Sequence, residues 1–590
     1  MKKIKLVPIL ITLIVWFCLF YVALPAINIQ SQEFWSFAIM LIVIAVVINM
    51  WTIVKSFSFV MGDREHNKQQ FMKFKALFIV AAAIACFYGG GSLLSSPILR
   101  ASSYRSLIDV KQSEFNTDIT ETDFSQIPIL DKDSAAQLSE RKMGSMVDMV
   151  SQYEVSDYYT QINYNQRPVR VTPLEYASPI KWLTNRDTGI PAYIRIDMST
   201  QDVELIKLQD GIKYSPSEYF GRNLYRYLRF KYPTAMFRTY NFEIDDNGDP
   251  YWICPVQEKT IGLFGGADIK GAVILNAITG EHQYYDVKDI PQWVDKVYDA
   301  ELLVQQYNYY GTLVNGYLNS IFGQRGCLQS TEGYNYIALN DDVWVYTGIT
   351  SISGDQSIVG FVLMNQRTKE TNYYKISGAK ETSAMSSAEG QVQHLGYRAT
   401  FPLLLNVGGE PTYFLALKDG AGLVKKYAMV NIEKYQIVAT GDSVKECEKA
   451  YKALMSSNGI STSTNNSLED TVTGKILDIK DIVIDGNTVY YFIIDSSDYL
   501  FELNVKDNIT FIKNKVGDTV KIEFTDSLSD GVKSVINMVN IGINAPDLND
   551  NKTQENDSIP EEIKNNDISE NQESNMDTKK TDTQSIDSQI

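Results

Sequence analysis

Three apolar stretches occupy the first hundred residues, at about 4–27, 37–53 and 76–94. Each is near the ~20 residues that cross ~30 Å of hydrocarbon at 1.5 Å per residue. Lys5 is the one charge inside them, and charge is costly in lipid. Lys2, Lys3 and Lys5 open the first stretch, and the connection after it carries Glu33 but no Lys or Arg. The next connection carries Lys55, Arg64, Lys68, Lys73 and Lys75. Basic loops stay in the cytoplasm. The pattern therefore predicts a plasma-membrane anchor of about three transmembrane helices over 1–99. Its N-terminus would be cytoplasmic and everything after about residue 99 extracytoplasmic. Ala23-Leu24-Pro25-Ala26 after an apolar run also suits a signal-peptide cleavage site, but the run exceeds the usual 7–15 residues, and cleavage would leave the later topology unchanged. Gly89-Gly90-Gly91 fits either a close helix approach or a loosened helix exit before Pro97.

Residues 100–130 are polar without a clear period and read as a stalk. A 3.6-residue period then returns. Asp131 or Asp133 suits an N-cap, and Leu138, Met143, Met146, Val147 and Val150 share a face. From there to 455 one unit recurs: an apolar strand ends at Asp or Asn, a short turn follows, and a second strand leaves it. The copies are Ile194-Arg-Ile-Asp197-Met-Ser-Thr200, Val273-Ile-Leu-Asn276-Ala-Ile-Thr279-Gly280-Glu281, Val362-Leu-Met-Asn365-Gln-Arg-Thr368 and, more faintly, Ala428-Met-Val-Asn431. Asn and Asp bond their own backbone in such turns, and Thr or Gly closes them. Helical openings follow at Ser215-Pro216, Asp289-Ile-Pro291 and Ser443. Asp246-Asn247-Gly248 predicts a further hairpin turn. A calcium loop through Glu243, Asp245 and Asn247 would need Glu where Cys254 stands.

The stretch around Asn276, Thr279, Gly280 and Glu281 resembles the PepSY module, a small extracytoplasmic α+β unit with an apolar strand, Asp/Asn-x-x-Thr-Gly-Glu, and a second strand. At Asn365–Glu370 the likeness is weaker because Lys369 replaces the turn glycine. It is weaker again at Asp197, and the Asn431 copy lacks the Thr. The resemblance covers short pieces of 160–455. It implies a non-catalytic binding unit, sometimes tied to the regulation of peptidases, with no catalytic residue to carry over.

Residues 456–467 have a linker composition. Over 468–543, five strand-like runs follow: Val472–Ile484, Thr488–Ile494, Leu500–Val505, Thr519–Phe524 and Val535–Ile541. Five short strands in that length resemble an OB-type barrel. Tyr490, Tyr491, Phe492, Tyr499 and Phe501 suit sheet packing better than a base-stacking platform, since the surrounding charge is mixed. Residues 544–590 are Asn/Asp/Glu/Ser/Gln-rich without aromatics and predict a disordered acidic tail. The fold class expected is thus a membrane-anchored α+β protein with repeated hairpin-helix units and a small β-barrel.

Composition narrows the function. The net charge is -17, which argues against a nucleic-acid partner. Three His leave few general acid-base groups or zinc ligands. None of Cys18, Cys86, Cys254, Cys327 and Cys447 forms a CxxC, and the reading favours buried free thiols. Gly262-Leu-Phe-Gly265-Gly266 lacks the Lys-Ser/Thr of a phosphate loop, and no hydrolase motif stands out. His282 and His394 read as structural. Asp341 and Asp342, adjacent on a strand, would point to opposite faces. The pairs Tyr284-Tyr285 and Tyr373-Tyr374 read as sheet packing before a peptide or glycan groove. No catalytic residue, cofactor or metal is expected. The reading is a non-catalytic membrane-anchored binding or scaffold protein of a bacterial cell envelope, partnering envelope proteins, peptides or wall polymer. The alternatives are a regulator of an extracytoplasmic peptidase and a membrane-anchored hydrolase with an unrecognised site.

Overall fold

The computed structural model describes residues 6–57, 79–80, 82–121, 124, 127–352, 357–460, 470–484, 487–504, 509–526 and 532–541. The tail expected over 544–590 lies outside them. So do most of the basic 55–75 connection and the 461–467 part of the linker. The chain forms two compact units, 1–464 and 465–590.

The expected three transmembrane helices are corrected: among the described residues, no single helix is long and apolar enough to cross a membrane. The helices Leu6–Ala23 and Gln32–Phe57 carry the apolar stretches Leu13–Ala23 and Gln32–Ile44. Ala82–Leu94 is long enough only together with Pro97–Arg105, from which it is bent by 47°. The break falls before Pro97, whose ring and missing N–H cannot extend the preceding helix. The ends of these helices seat on the folded unit. The Arg226 guanidinium lies 4.1 Å from the Tyr21 ring centroid, Arg229 Nε donates to Leu24 O at 2.9 Å, and Ser95 Oγ accepts from Leu263 N at 2.9 Å.

The expected α+β hairpin-helix units are corrected as well. The larger unit is mainly β and contains four copies of one five-stranded antiparallel sheet, each preceded by a helix. The first copy holds Tyr153–Val155, Thr160–Tyr164, Arg167–Tyr176, Ile190–Asp197 and Val203–Ile212. In every copy the third strand is the hub. The first two strands pair with different parts of it, the fourth pairs along it, and the fifth pairs with the fourth. The hubs of the later copies are Pro250–Ile261, Asp342–Ser351 and Glu410–Lys418. The hairpins recognised in the sequence are the fourth and fifth strands of these sheets. The Asp246-Asn247-Gly248 hairpin joins the second and third strands of the second sheet; the other early strands escaped notice because both faces of the middle sheets are buried. Val343–Thr350 is buried at every position, so its strand shows no polar-apolar alternation.

The sheets pack in sequence. Trp252, Val273 and Leu275 of the second sheet join Ile162, Val171 and Ile194 of the first in one core. The opposite face of the second sheet, Ile253 and Ile274, packs with the helix Ala300–Thr312 and with Val345 and Val362 of the third. Trp344, Tyr346 and Phe361, on the other side of the third sheet, meet Leu404, Leu415 and Val430 of the fourth. The second strands of the first and second sheets touch, as do those of the third and fourth.

Residues 100–130 are no stalk. Lys111–Ser113 adds a parallel edge strand to the third sheet against Asn372–Tyr374. Ile108, Phe115, Ile119, Ile127 and Leu130 are buried. Their irregular spacing hides them from any periodicity test.

The turns explain the repeat. Asp197 Oδ1 accepts from Ser199 N and Thr200 N. Asn276 Oδ1 accepts from Ile278 N and Thr279 N, and Asn365 Oδ1 from Arg367 N and Thr368 N, all between 2.8 and 2.9 Å. Thr200, Thr279 and Thr368 then accept from the backbone two residues on. The fourth copy keeps only Lys434 N to Asn431 Oδ1, at 2.8 Å. The residue after the Thr is left-handed in each of the first three: Gln201 at φ 65, Gly280 at 78, Lys369 at 68. Only glycine adopts that region without cost. Lys369 is held there by a 2.7 Å bond from Nζ to Asp268. Gln201 has only a 3.4 Å contact with Tyr427. Gln201→Gly is therefore expected to stabilise the protein by about 0.5–1 kcal/mol, read from the denaturant midpoint. An unchanged or lower midpoint would mean the backbone is not strained there.

The second unit is a closed five-stranded barrel of Asp470–Ile484, Asn487–Ile494, Ser497–Asn504, Thr519–Asp526 and Val532–Asn540. Around the barrel the strands run first, second, third, fifth, fourth. Phe492 and Phe501 lie in its core with Phe511 and Phe524, while Tyr499 is exposed beneath Lys533.

Candidate functional site

The type of residue at equivalent positions of the four sheets identifies the site. Register fixes the equivalence. Arg170 pairs with Ile196, one residue before the turn Asp197. Trp252 pairs with Leu275, Val345 with Met364 and Tyr413 with Val430 in the same place. On the second strand, Gln161 faces Arg170 where the other sheets set Phe242, Tyr336 and Leu404. Three sheets thus fill this cross-strand slot mainly with large apolar or aromatic side chains. The first fills it with Arg170 and Gln161, each only 7% exposed.

Arg170 and Gln161 line a cavity of about 490 Å³ where the first, third and fourth sheets meet. Its apolar wall includes Met198, Phe401 and Phe414, and its polar wall includes Tyr159, Tyr334 and Tyr336. Of the charged residues around it, Lys132, Arg170 and Lys296 are basic and Asp131 is acidic. Asp131 is already engaged. It caps the helix Lys132–Gly144 through Ser134 N and pairs with Lys418. Burial pushes its carboxyl up, but the Lys418 and Ser134 bonds outweigh this and hold it below the usual range.

Arg170 Nη2 donates to Gln161 Oε1 at 3.2 Å, while Arg170 Nε and Gln161 Nε2 have no hydrogen-bond partner among the described residues. Burial lowers the Arg170 pKa, and nearby Tyr336 and Asp131 oppose that shift. Burial likewise raises Tyr336 and Tyr159 and lowers Lys296. Arg170 and Gln161 thus each leave a buried donor unused, and the charged residues around the cavity are positive in excess.

A second polar cluster adjoins it. Glu243 and Asp295 are 0% and 1% exposed. Glu243 accepts from the backbone N–H groups of Asp295 and Lys296 at 2.9 and 3.0 Å. Asp295 Oδ2 accepts from Asn163 N at 2.7 Å, while its Oδ1 has no partner. Burial pushes Glu243 up to about 7. Burial and the Glu243 charge raise Asp295 too. Glu243 thus points away from the imagined calcium loop. There, Asp245 Oδ1 instead accepts from Asn247 N and Asp249 N as an ordinary turn.

The turn residues singled out from the sequence do not line the cavity, although their neighbours Met198 and Gln366 do. Asp197 and Thr200 border one surface groove on the first sheet. Asn276, Thr279, Gly280 and Glu281 border another on the second. Asn365 holds Asp342 through Nδ2, and Asn431 is fully buried. His282 bonds Tyr232 Oη at 2.8 Å in the second groove. Asp342 opens a hub strand paired to Arg367, and Asp341 stands in the left-handed turn before it. Cys254, Cys327 and Cys447 are buried free thiols. Sequence reasoning missed Arg170, Gln161, Asp295 and Lys296, and met Glu243 only as a position in the rejected calcium loop. A signal was present: Pro168, Pro250 and Pro411 each follow a tight turn, and reading two residues on from each aligns Arg170 with Trp252 and Tyr413.

Fold and site together define a mainly β protein of four repeated sheets with a polar internal cavity, followed by a small barrel. No protein-family model matches the chain, and no curated protein does. Among solved structures it is similar to a crystal structure of an ACO/RPE65 chimera, at 10% identity and a TM-score of 0.13. The match covers 67% of this chain and 66% of that one. A likeness of that size carries no argument about fold or activity.

Proposed function

We propose that the protein is a non-catalytic binding protein of a bacterial-type cell envelope. It sits at the membrane, its sheet array faces outward, and it takes its ligand in the cavity among the first, third and fourth sheets. The observation that carries this reading is the cavity itself: about 490 Å³, within the size range of ligand sites, with convergent polar groups on an apolar wall. The apolar N-terminal stretches and their basic flanks support the location. The packing of Phe20 and Tyr21 on Phe230 places the second sheet's helix beside them.

The test is in-cell capture with a photo-reactive residue in place of Tyr334, which lines the cavity and is partly exposed. A reproducible adduct is expected, and Ala416→Trp, which fills the cavity, should abolish it. Adducts indifferent to Ala416→Trp would overturn the reading.

A second reading, regulation of an extracytoplasmic peptidase, is favoured by one observation. The Asx-Thr turn of the PepSY-like copies recurs with the same bonds at Asp197, Asn276 and Asn365. The first-second-third-fifth-fourth strand order likewise supports the OB-type resemblance of the barrel. A peptidase in the Tyr334 adduct, with its rate altered by the added protein, would favour regulation over simple binding.

A further inference from the structure

We propose that the cavity recognises a carboxylate on an apolar body, with Arg170 and Gln161 as the groups that hold the carboxylate. The inference rests on the cavity reading above and adds the chemistry of its ligand. Three observations carry it. The first is the slot: the repeat fills it with large, mainly apolar side chains in the second, third and fourth sheets and with an Arg-Gln pair in the first. Burying a guanidinium there disfavours folding unless something offsets it. The second is the free valence. Arg170 Nε and Gln161 Nε2 are buried donors without acceptors among the described residues, and such groups in native proteins are rare. Their mutual bond uses Arg170 Nη2 and leaves Nε unused. The third is the balance of the lining. Lys132 and Lys296 add positive charge, and the single acid, Asp131, is bound to Lys418. An anion is therefore what the polar wall lacks.

The planar fork of Arg suits carboxylate geometry. The remaining wall narrows the class further. Ile129, Met198, Phe401, Leu403 and Phe414 are apolar, and Tyr159, Tyr334 and Tyr336 are amphipathic. A ligand with one anionic head and a hydrophobic body matches both sides. Two sources supply such a group, the C-terminus of a peptide ending in an apolar residue and a free organic acid of similar size.

The test is titration calorimetry on the full-length protein with three probes: N-acetyl-alanyl-leucine, its C-terminal amide, and octanoate. The acid peptide or octanoate is expected to bind, and the amide at least roughly 10-fold more weakly than the acid peptide. Arg170→Gln should weaken the bound acid by roughly 10–100-fold. Gln161→Met, which removes the second donor and fits the slot's apolar character, should weaken it less. Its folding, checked by thermal denaturation, keeps the test sound if Arg170→Gln is unstable. Binding of the acid peptide alone assigns a peptide C-terminus, and binding of octanoate alone assigns a free acid. Equal affinity for acid and amide, affinity unmoved by both substitutions, or no binding of either acid overturns the proposal. The Tyr334 adduct decides the cavity reading separately, since any bound chemistry can form it.

Discussion

Asp342→Ala is expected to destabilise the protein by about 3–5 kcal/mol, the cost of leaving a buried charge unpaired. Asp342 is buried and accepts three bonds. Arg367 Nε reaches Oδ1 at 2.6 Å, and Arg367 Nη2 and Asn365 Nδ2 both reach Oδ2 at 2.8 Å. The carboxylate thereby ties two turns of the third sheet together, the one opening its hub strand and the one ending its fourth strand. Removing it strands the Arg367 guanidinium, which is itself largely buried. The double substitution Asp342→Leu with Arg367→Met should recover most of the loss, because an apolar pair of similar volume has no desolvation to offset. Chemical denaturation of the two single variants and the double variant closes the cycle. If Asp342→Ala costs less than about 1 kcal/mol, the pair behaves as a surface salt bridge and its burial is not felt.

The second large effect is on pH. Glu243 carries a pKa raised from 4.5 to about 7 by burial. Below about pH 4.5 it is neutral in both the folded and the unfolded chain. Between there and pH 7 the unfolded chain releases the proton and the folded one keeps it, so unfolding becomes progressively easier as pH rises. Stability is therefore fullest at the acid end of this window and is lost through it, by roughly 3 kcal/mol for this group. Asp295, raised by burial and by Glu243, pulls in the same direction, while Lys296 opposes it for Glu243. Glu243→Gln should flatten the fall and leave the variant more stable than the natural chain at pH 8. Thermal midpoints measured from pH 4.5 to 8 test this. A natural chain whose midpoint holds level or climbs across that range would show that Glu243 is ionised throughout. Because Lys296 follows Asp295 directly and lines the cavity, the same titration adjoins the ligand site.

The turns were legible from local chemistry. An Asp or Asn followed three residues later by Thr builds an Asx turn wherever a strand ends, and Asp197, Asn276 and Asn365 do so with nearly identical bonds. The five strands of the barrel were legible too, because alternation such as that of Thr519–Phe524 marks one buried face. The helix caps at Asp131 and Ser443 rest on the same kind of short-range bond, to Ser134 N and Glu446 N.

Other features lay beyond a local reading. The inner strands of the middle sheets are buried on both faces, which erases the period that would have declared them. The apolar N-terminal stretches satisfied a composition rule, yet the helix Ala82–Leu94 built from the third of them is bent by 47° from the next. Helix length depends on where the backbone breaks, and Pro97 supplies one such break.

The sequence by itself determined the recurring hairpin turns and the barrel strands, since these arise from residues within a few positions of each other. Only the tertiary structure decided which slots face a cavity and which face a core. Arg170 reads as one charge in an apolar run. It becomes a candidate binding group once register places it opposite Gln161, burial removes water, and the third and fourth sheets, more than 150 residues further along the chain, enclose the space before it. Burial and enclosure are sums over distant segments, and no local pattern encodes them.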